Sequence, residues 1–504
     1  YAAMNVVWFK RDLRISDHDP LASAIESGAT LALYIFEPAL WQGKDLDSRH
    51  YHFLQESLTD LDIQLKKINL RLTIKVGDVE DVIKQLNEGF HIKGVFSHQE
   101  TWNDWTHQRD KRVAKLLGQL SIPWHQFQQN GVIRKLESRN GWAMRWHQFM
   151  SNAPIKVPVC AQSIKVESDN MPTLKEIGIP NTDCGYRQTG GRDMALTLID
   201  SFFSMRGERY AKEMSSPVTA YESCSRISTY LAFGSLSIRE VYQLALQKKK
   251  EIYVHTVTGS PWRQSIRAFM SRLRWHCHFI QKLEDEPTIE FKNLHSATDT
   301  LRELHFDREH FDAWQTGRTG YPFVDACMRA LRATGWLNFR MRAMLVSFSS
   351  YHLWLHWREP SLHLARMFLD YEPGIHYAQI QMQSGTTGIN AIRIYNPIKQ
   401  GMDQDPEGIF IKKWVPELSS LPKTEIHTPW LFEHSGGTYP APIVDEKSAR
   451  RAATSKIHAL RRSPTFKKIS TKIVEKHASR KQSAKGKPKK KIAFTKSWKQ
   501  NELF

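Results

Sequence analysis

Cysteine is scarce: five residues in 504, at Cys160, Cys184, Cys224, Cys277 and Cys327, with no C-x-x-C pair among them. That scatter argues against a disulfide framework or a clustered zinc site, so no metal is expected, and it fits a reducing cytoplasm. Apolar runs of the length that spans a bilayer are missing, so no membrane segment is expected. The opening YAAMNVVWF has neither a charged n-region nor a hydrophobic h-region, so no secretory leader is expected. A G-x-G-x-x-G fingerprint is also lacking, which removes support for a conventional dinucleotide site. Acidic residues are under-represented, 52 against 71 Lys and Arg, for a net charge of +19. The imbalance is local. Residues 445–504 carry 19 Lys/Arg and 4 Asp/Glu, which is +15 and leaves +4 for the rest of the chain. A folded nucleic-acid site therefore needs local clustering of cations, not a uniformly basic body.

What is present first is alternation. NVVWFKRD reads as a buried strand ending in a charged loop. LASAIESG reads as a helix, LALYIFEP as a strand, SRHYHFLQESLTDLDIQLKK as a helix, LRLTIKVG as a strand, VEDVIKQLNEG as a helix and IKGVFSHQE as a strand. Strands and helices alternating through short links imply right-handed crossovers and a parallel sheet covered on both faces. The fold class is thus an α/β doubly wound parallel sheet domain, residues 4–135, followed by a connector, 136–193, rich in Pro and Gly. An all-α domain occupies 194–432, dense in Trp, Phe, Arg and Leu. Residues 445–504 have the composition of a disordered basic tail, free to track nucleic-acid phosphates.

The densest stretch is 313–397. Gly317, Gly320 and Pro322 mark a turn, and Pro322 suits the first helical turn, where a missing N–H costs nothing. Val324, Met328 and Leu331 recur at helical spacing until Gly335, and a second helical run carries Trp336, Arg340, Arg342, Leu345 and Trp354. Arginines among so many aromatics need anionic partners. Asp370 and Glu372 follow in a loop broken by Pro373 and Gly374. These residues point to a polar pocket with aromatic walls and a guanidinium–carboxylate pair.

GRTGYPFVDACMRAL, GW-x-x-x-R-x-R, the Trp357-Arg-Glu triplet and RIYNPIKQGMDQDPEGIFIKKWVPEL resemble the flavin-binding half of the photolyase/cryptochrome family; WFKRDLR and SRISTYLAFGSLS extend the likeness from Asn5 to about Leu418. The resemblance implies bound FAD, with an antenna chromophore of unspecified identity in the first domain, or none; Thr106 stands where an antenna glutamate is common. No closely spaced ligand set for an iron–sulfur cluster is present. Because the family joins DNA-repair enzymes and light sensors on one scaffold, activity must be argued from the site.

Carried onto this sequence, the resemblance assigns Tyr210, Cys224, Ser225, Arg226, Ile227 and Ser228 to the flavin's phosphate side, with Cys224 replacing a hydroxyl residue. Small hydroxyl residues opening a helix serve equally as simple caps or as phosphate ligands helped by the helix dipole. Arg342, Asp370 and Glu372 match the arginine–acid pair and second acid around the flavin. His376 falls where many relatives have an asparagine, with Tyr377 beside it; a histidine there is either a proton donor or a packed core residue. In the electron relay Trp357 matches the middle tryptophan, whereas Ile380 and Leu304 replace the inner and outer ones. Tyr377, Trp336, Trp354 and Tyr351 are the candidate substitutes. On the substrate side Trp275 matches a pyrimidine-stacking tryptophan, Arg272 replaces a glutamate, Met382 a second stacking aromatic and Phe339 an amide. The expected partner is DNA with a flipped pyrimidine dimer, bound by a monomer; the expected activity is blue-light-driven dimer cleavage by a photolyase-type lyase. The alternative is a cryptochrome-like photoreceptor without repair.

Overall fold

The computed structural model describes residues 1–255, 258–302, 304–433 and 437–479. Strands β1 (Ala3–Phe9), β2 (Thr30–Phe36), β3 (Leu72–Val76), β4 (His91–His98) and β5 (Trp124–Phe127) form one sheet in the order β3-β2-β1-β4-β5, every pairing parallel. Between them run helices α1 (Asp19–Glu26), α2 (Ser48–Lys66), α3 (Val79–Gly89) and α4 (Asp104–Gln119). Side chains alternate across a strand, and the two faces have different fates. Met4, Val6 and Trp8 pack with Leu31, Leu33 and the apolar stripes of α3 and α4. Val7, Phe9, Tyr34 and Phe36 point the other way, into a core continuous with that of the helical domain. Phe53 of α2 contacts the rings of Tyr230 and Phe233 at 5.3 and 4.8 Å, which fastens the two domains together.

The WFKRDLR stretch works at this seam. Asp12 accepts from His18 Nε2 at 2.8 Å and His98 Nδ1 at 2.7 Å. His18 Nδ1 accepts the Leu21 N–H, so its Nε2 must carry the proton that it gives Asp12. This Asp–His–His cluster has ligand-like spacing, but the proton on His18 Nε2 makes it a hydrogen-bond network. Arg14 Nη1 donates to the Gly234 carbonyl at 3.0 Å, across to the helical domain.

The assigned connector is not all surface loop. Helix α5 (Trp142–Ser151) lies within it and buries Trp142, Trp146 and Met150. Indole and thioether packing at i, i+4 and i+8 outweighs the Pro/Gly-rich composition around it. Beyond α5 the chain is largely irregular until residue 192, running beside β3, where Asp169 N–H reaches the Ile74 carbonyl.

In the helical domain the site is carried by α6 (Ser228–Ala232), α7 (Pro261–Asp285), α8 (Pro322–Thr334), α9 (Phe339–Ser347) and α10 (Pro373–Ser384). Pro322 opens α8 and Gly335, at φ +75°, closes it in the left-handed region that favours glycine. Gly374 lets the first turn of α10 press onto α7: a Cβ there would sit 2.6 Å from Ile280 Cα.

The largest departure is at the C-terminus. Two helices, α11 (Glu446–Arg461) and α12 (Pro464–His477), occupy the first part of the segment expected to be disordered. Ala453 and Ile457 join a small core with Tyr351. Glu446 accepts from His352 at 2.6 Å, and the Phe466 ring stacks on His295 at 3.9 Å. Charge counting hid an apolar stripe that needs only four residues, Ala453, Ile457, Phe466 and Ile473, to dock the pair. The remainder of the expected tail, 480–504, lies outside the described residues.

Candidate flavin site

A cavity of about 360 Å³ lies among α6, α7, α9 and α10. Arg342 of α9 meets Asp370 in a two-point pair, Nη1–Oδ1 and Nη2–Oδ2 both 2.9 Å, and its Nε donates to the Leu337 carbonyl at 2.7 Å. Ser228 Oγ donates to Asp370 Oδ2 at 2.6 Å. Burial alone would raise the Asp370 carboxyl, but Arg342 and Ser228 overcome it and hold the group below the usual carboxylate range. The pair is therefore charged, and its arginine also lies over the Phe368 ring at 4.3 Å.

Tyr210, Cys224, Ser225, Arg226, Ile227 and Ser228 all line the same cavity. The helix that follows is only the five residues of α6, so a macrodipole contributes little here; a one-turn helix aligns too few peptides. The cationic element is Arg226 instead. Its backbone takes φ +63°, and its guanidinium lies over Trp336 at 4.2 Å. Arg206 fixes the loop from behind, donating to the Glu222, Cys224 and Ser225 carbonyls at 2.7, 2.6 and 3.2 Å. Arg206 carried no motif in the sequence and only the fold reveals its role. Three buried polar atoms of the lining, Arg226 Nε, Asn338 Oδ1 and Arg340 Nε, have neither a hydrogen-bond nor an ion-pair partner among the described residues. Two unsatisfied guanidinium donors in an otherwise apolar wall are complementary to an anionic, partly aromatic ligand.

His376 lines the cavity, and its Nε2 donates to the Ser361 carbonyl at 2.8 Å. Burial lowers its pKa to about 4, so the ring is neutral near pH 7 and its one N–H is committed. Of the two readings of a histidine here, proton donor or packed core residue, this hydrogen bond fits the second and leaves Nδ1, an acceptor. Trp357 and Tyr377 do not reach the lining; they are fully buried behind it, with ring centroids 6.3 Å apart. Tyr371 connects them to the wall. Its ring is 6.5 Å from Tyr377 and its hydroxyl donates to Asp45 at 2.9 Å, while Trp357 Nε1 donates to Asn293 at 2.6 Å. Ile380 does line the cavity, and Leu304 is fully exposed.

On the other side Trp275, Arg272 and Phe339 line the cavity, with Trp275 stacked 5.6 Å from Phe279. Met382 does not. The wall positions of α10 are Ile375, His376, Gln379, Ile380 and Gln383, and residue 382 falls just beyond the edge of that arc, next to Ile375. Arg272 donates to the Ala268 carbonyl at 3.0 Å and has no ion-pair partner among the described residues, so it does not close the pocket on an acid. His276, next to Trp275, was missed. It lies 3.2 Å from Glu372, and although burial would lower its pKa, Glu372 raises it to about 10. The pair puts a second cation–anion couple on the wall.

The model of the FAD binding domain of DNA photolyase matches residues 269–459, and the DNA photolyase model matches residues 5–141. A deoxyribodipyrimidine photo-lyase of Vibrio cholerae is 28% identical over 468 residues, covering 89% of this chain and 97% of its own. A cryptochrome DASH of Gloeobacter violaceus is 27% identical over 485 residues, covering 87% and 93%. The crystal structure of a bacterial class III photolyase from Agrobacterium tumefaciens superimposes with a TM-score of 0.79 at 25% identity, covering 92% of this chain and 98% of that one.

The chain belongs to the photolyase/cryptochrome family.

Its cofactor is FAD, and the residues present fit it: a charged Arg342–Asp370 pair, donors of Arg226 and Arg340 without partners among the described residues, and aromatic walls. In the first domain the ion cluster around Arg109 is paired within itself. Arg109 is held by Glu37, Glu100 and Asp110, and the space beside it is about 20 Å³. Thr106 is buried and spends its hydroxyl on the Asn103 carbonyl at 2.7 Å. Among the described residues no helix is long and apolar enough to cross a membrane.

Proposed function

We propose that this flavoprotein repairs pyrimidine dimers in DNA under blue light, acting as a photolyase-type lyase and as a monomer. The observation that carries the reading is one shared cavity: Trp275, a stacking surface, and Arg272, a cation without an acid partner, line the same space as the Arg342–Asp370 pair. Bound there, FAD supplies light absorption and reversible one-electron transfer. The chain's part is to place a flipped dimer against Trp275 and to exclude water with Phe339, Ile375 and Ile380. Arg342 keeps positive charge beside the cofactor, which favours its anionic reduced form. Tyr371, Tyr377 and Trp357 form an aromatic series leading inward to the wall, with Asp45 placed to accept a proton if Tyr371 is oxidised. The test is loss of dimers from an irradiated oligonucleotide under blue light, with a dark control. Dimer loss without light dependence, or none at saturating DNA, defeats the repair reading.

A second reading, a cryptochrome-like photoreceptor, draws on Arg272 standing where the resemblance expects a glutamate. A guanidinium suits a backbone phosphate better than the edge of a pyrimidine. It is tested by light-dependent change in protease sensitivity of α11 and α12 in protein that does not repair.

A further inference from the structure

The C-terminal helix pair has an inner and an outer face. Inside, Ala453, Ile457, Phe466 and Ile473 are buried, His352 holds Glu446, and Arg461 Nη2 donates to the Asn390 carbonyl at 2.9 Å. Outside, α11 presents Lys447, Arg451, His458 and Arg462, all exposed. Their spacing of four, seven and four residues places them within roughly 60° of arc at 3.6 residues per turn. On α12, Lys468 and Lys472 lie one turn apart and are exposed. None of Lys447, Arg451, Arg462, Lys468 or Lys472 has an ion-pair partner among the described residues, whereas Lys476 is paired with Glu286. Five cations are therefore held on a docked face with no acid at ion-pair distance among the described residues, although Glu475 lies one turn from Lys472.

Such a face suits a regular polyanion, and two candidates differ in what else they require. An interfacial helix on an anionic membrane needs its apolar side turned toward lipid. Here that side is already consumed by Tyr351, His295 and their neighbours, and Val474 is the exposed large apolar residue of the pair. A duplex needs only cations at the spacing of successive helical turns. The cations also continue toward the cavity: Asn390, tied to Arg461, is three residues from Arg393, whose charge bears on Arg340 in the cavity wall.

We propose that the outer face of α11 and α12 is a docking surface for the phosphate backbone of duplex DNA, separate from the lesion cavity. It recognises phosphates and no lesion, so it goes beyond the repair reading and does not depend on it.

The experiment uses the full, flavin-loaded chain and an undamaged labelled duplex in the dark. Binding is titrated against salt for the parent and for a variant with Lys447→Gln, Arg451→Gln, Arg462→Gln, Lys468→Gln and Lys472→Gln. Each lost phosphate contact reduces the log-affinity versus log-salt slope by about 0.9, so a loss of up to about 4.5 is expected for the five, with at least a tenfold drop in affinity at low salt. Flavin content should not change, which reports the fold. If the quintuple variant loses flavin, the α11 set and the α12 set are tested separately, and each should remove its share. A charge-preserving variant, with each Lys→Arg and each Arg→Lys, should keep the slope. An unchanged slope in the neutral variants overturns the proposal. So does a truncation after Ser479 that removes all the salt dependence. So does a variant that loses binding to vesicles containing anionic lipid while holding DNA as the parent does.

Discussion

Two ion-paired arginines, Arg109 buried in the α/β domain and Arg342 half-buried in the helical domain, show how the same chemistry serves different ends. Arg109 meets three carboxylates, Glu37 at 2.5 Å, Glu100, and Asp110 at 2.9 Å, and each of its nitrogens has a partner. Around it about 20 Å³ of space remains. Arg342 meets one carboxylate, and the cavity beside it is about 360 Å³, lined by Arg226 Nε and Arg340 Nε that have no partner among the described residues. A saturated cluster has nothing left to offer a ligand; its charges hold the domain together. An incomplete one has donors in reserve, and desolvating them is tolerable only if something else binds there.

The strongest break of this contrast is Asp370→Ala. Losing one partner of a buried pair costs about 3–5 kcal/mol, and here the uncompensated Arg342 faces the flavin site. The flavin-to-protein absorbance ratio should fall by more than tenfold. Glu37→Gln, which leaves Arg109 two carboxylates, should instead lower stability by about 1–3 kcal/mol and leave that ratio unchanged. Flavin loss in both variants, or in neither, would erase the distinction.

A pH titration probes the second couple on the cavity wall. His276 rises to about 10 when folded beside Glu372, against an ordinary value near 6.5. Its contribution is fully present below about pH 6.5 and is lost as pH rises toward 10. Lys282, lowered to about 7 by burial, acts in the opposite sense: its cost to the folded state is relieved as pH rises from about 7 to 10.5. The readout is therefore the difference in thermal midpoint between the parent and His276→Gln. That difference should be largest near pH 6 and shrink toward pH 10. A difference independent of pH would mean that the ion pair does not form.

These contrasts also mark what the sequence discloses. Continuous apolar strands alternating with helical runs determine the sheet domain, because a parallel sheet covered on both faces needs both sides of each strand apolar. Arg342, Asp370 and Tyr210 were legible because their motifs are local and dense. His276 was not: a histidine beside a tryptophan is ambiguous until Glu372, almost a hundred residues later, is folded against it. Arg206 has no signal, since its bonds go to backbone carbonyls. The docked C-terminal helices were masked by their own lysines, whose count swamps a four-residue apolar stripe. Tyr371 was overlooked because it stands between two acids that drew attention as a pair.

Trp275 tests the open side of the comparison. Its ring lines the cavity and backs onto Phe279, so Trp275→Ala should weaken binding of lesion-containing single strand by about 1–3 kcal/mol, the usual value of one stacked base. Flavin content should be kept, because none of the cofactor-side ion pairs involves it. Undiminished lesion affinity would make Trp275 a packing residue and take the main support from the repair reading.

The smallest effect is expected at Met382, and it is the sharpest check on the helical geometry. Alignment places this residue among substrate contacts, but α10 presents Gln379 and Gln383 to the cavity and leaves Met382, half-buried, beyond the edge of that face. At 3.6 residues per turn Met382 falls just outside the arc of wall positions from Ile375 to Ile380, so it meets the cavity only if the helix rotates slightly. Met382→Ala should therefore shift lesion affinity by less than about 0.5 kcal/mol, the range of substitutions remote from a site, whereas Gln379→Ala and Gln383→Ala should each lower it measurably. A Met382→Ala loss equal to that of Trp275→Ala would mean that α10 turns toward the substrate when DNA binds, and that the wall described by this structure is not the one the lesion meets.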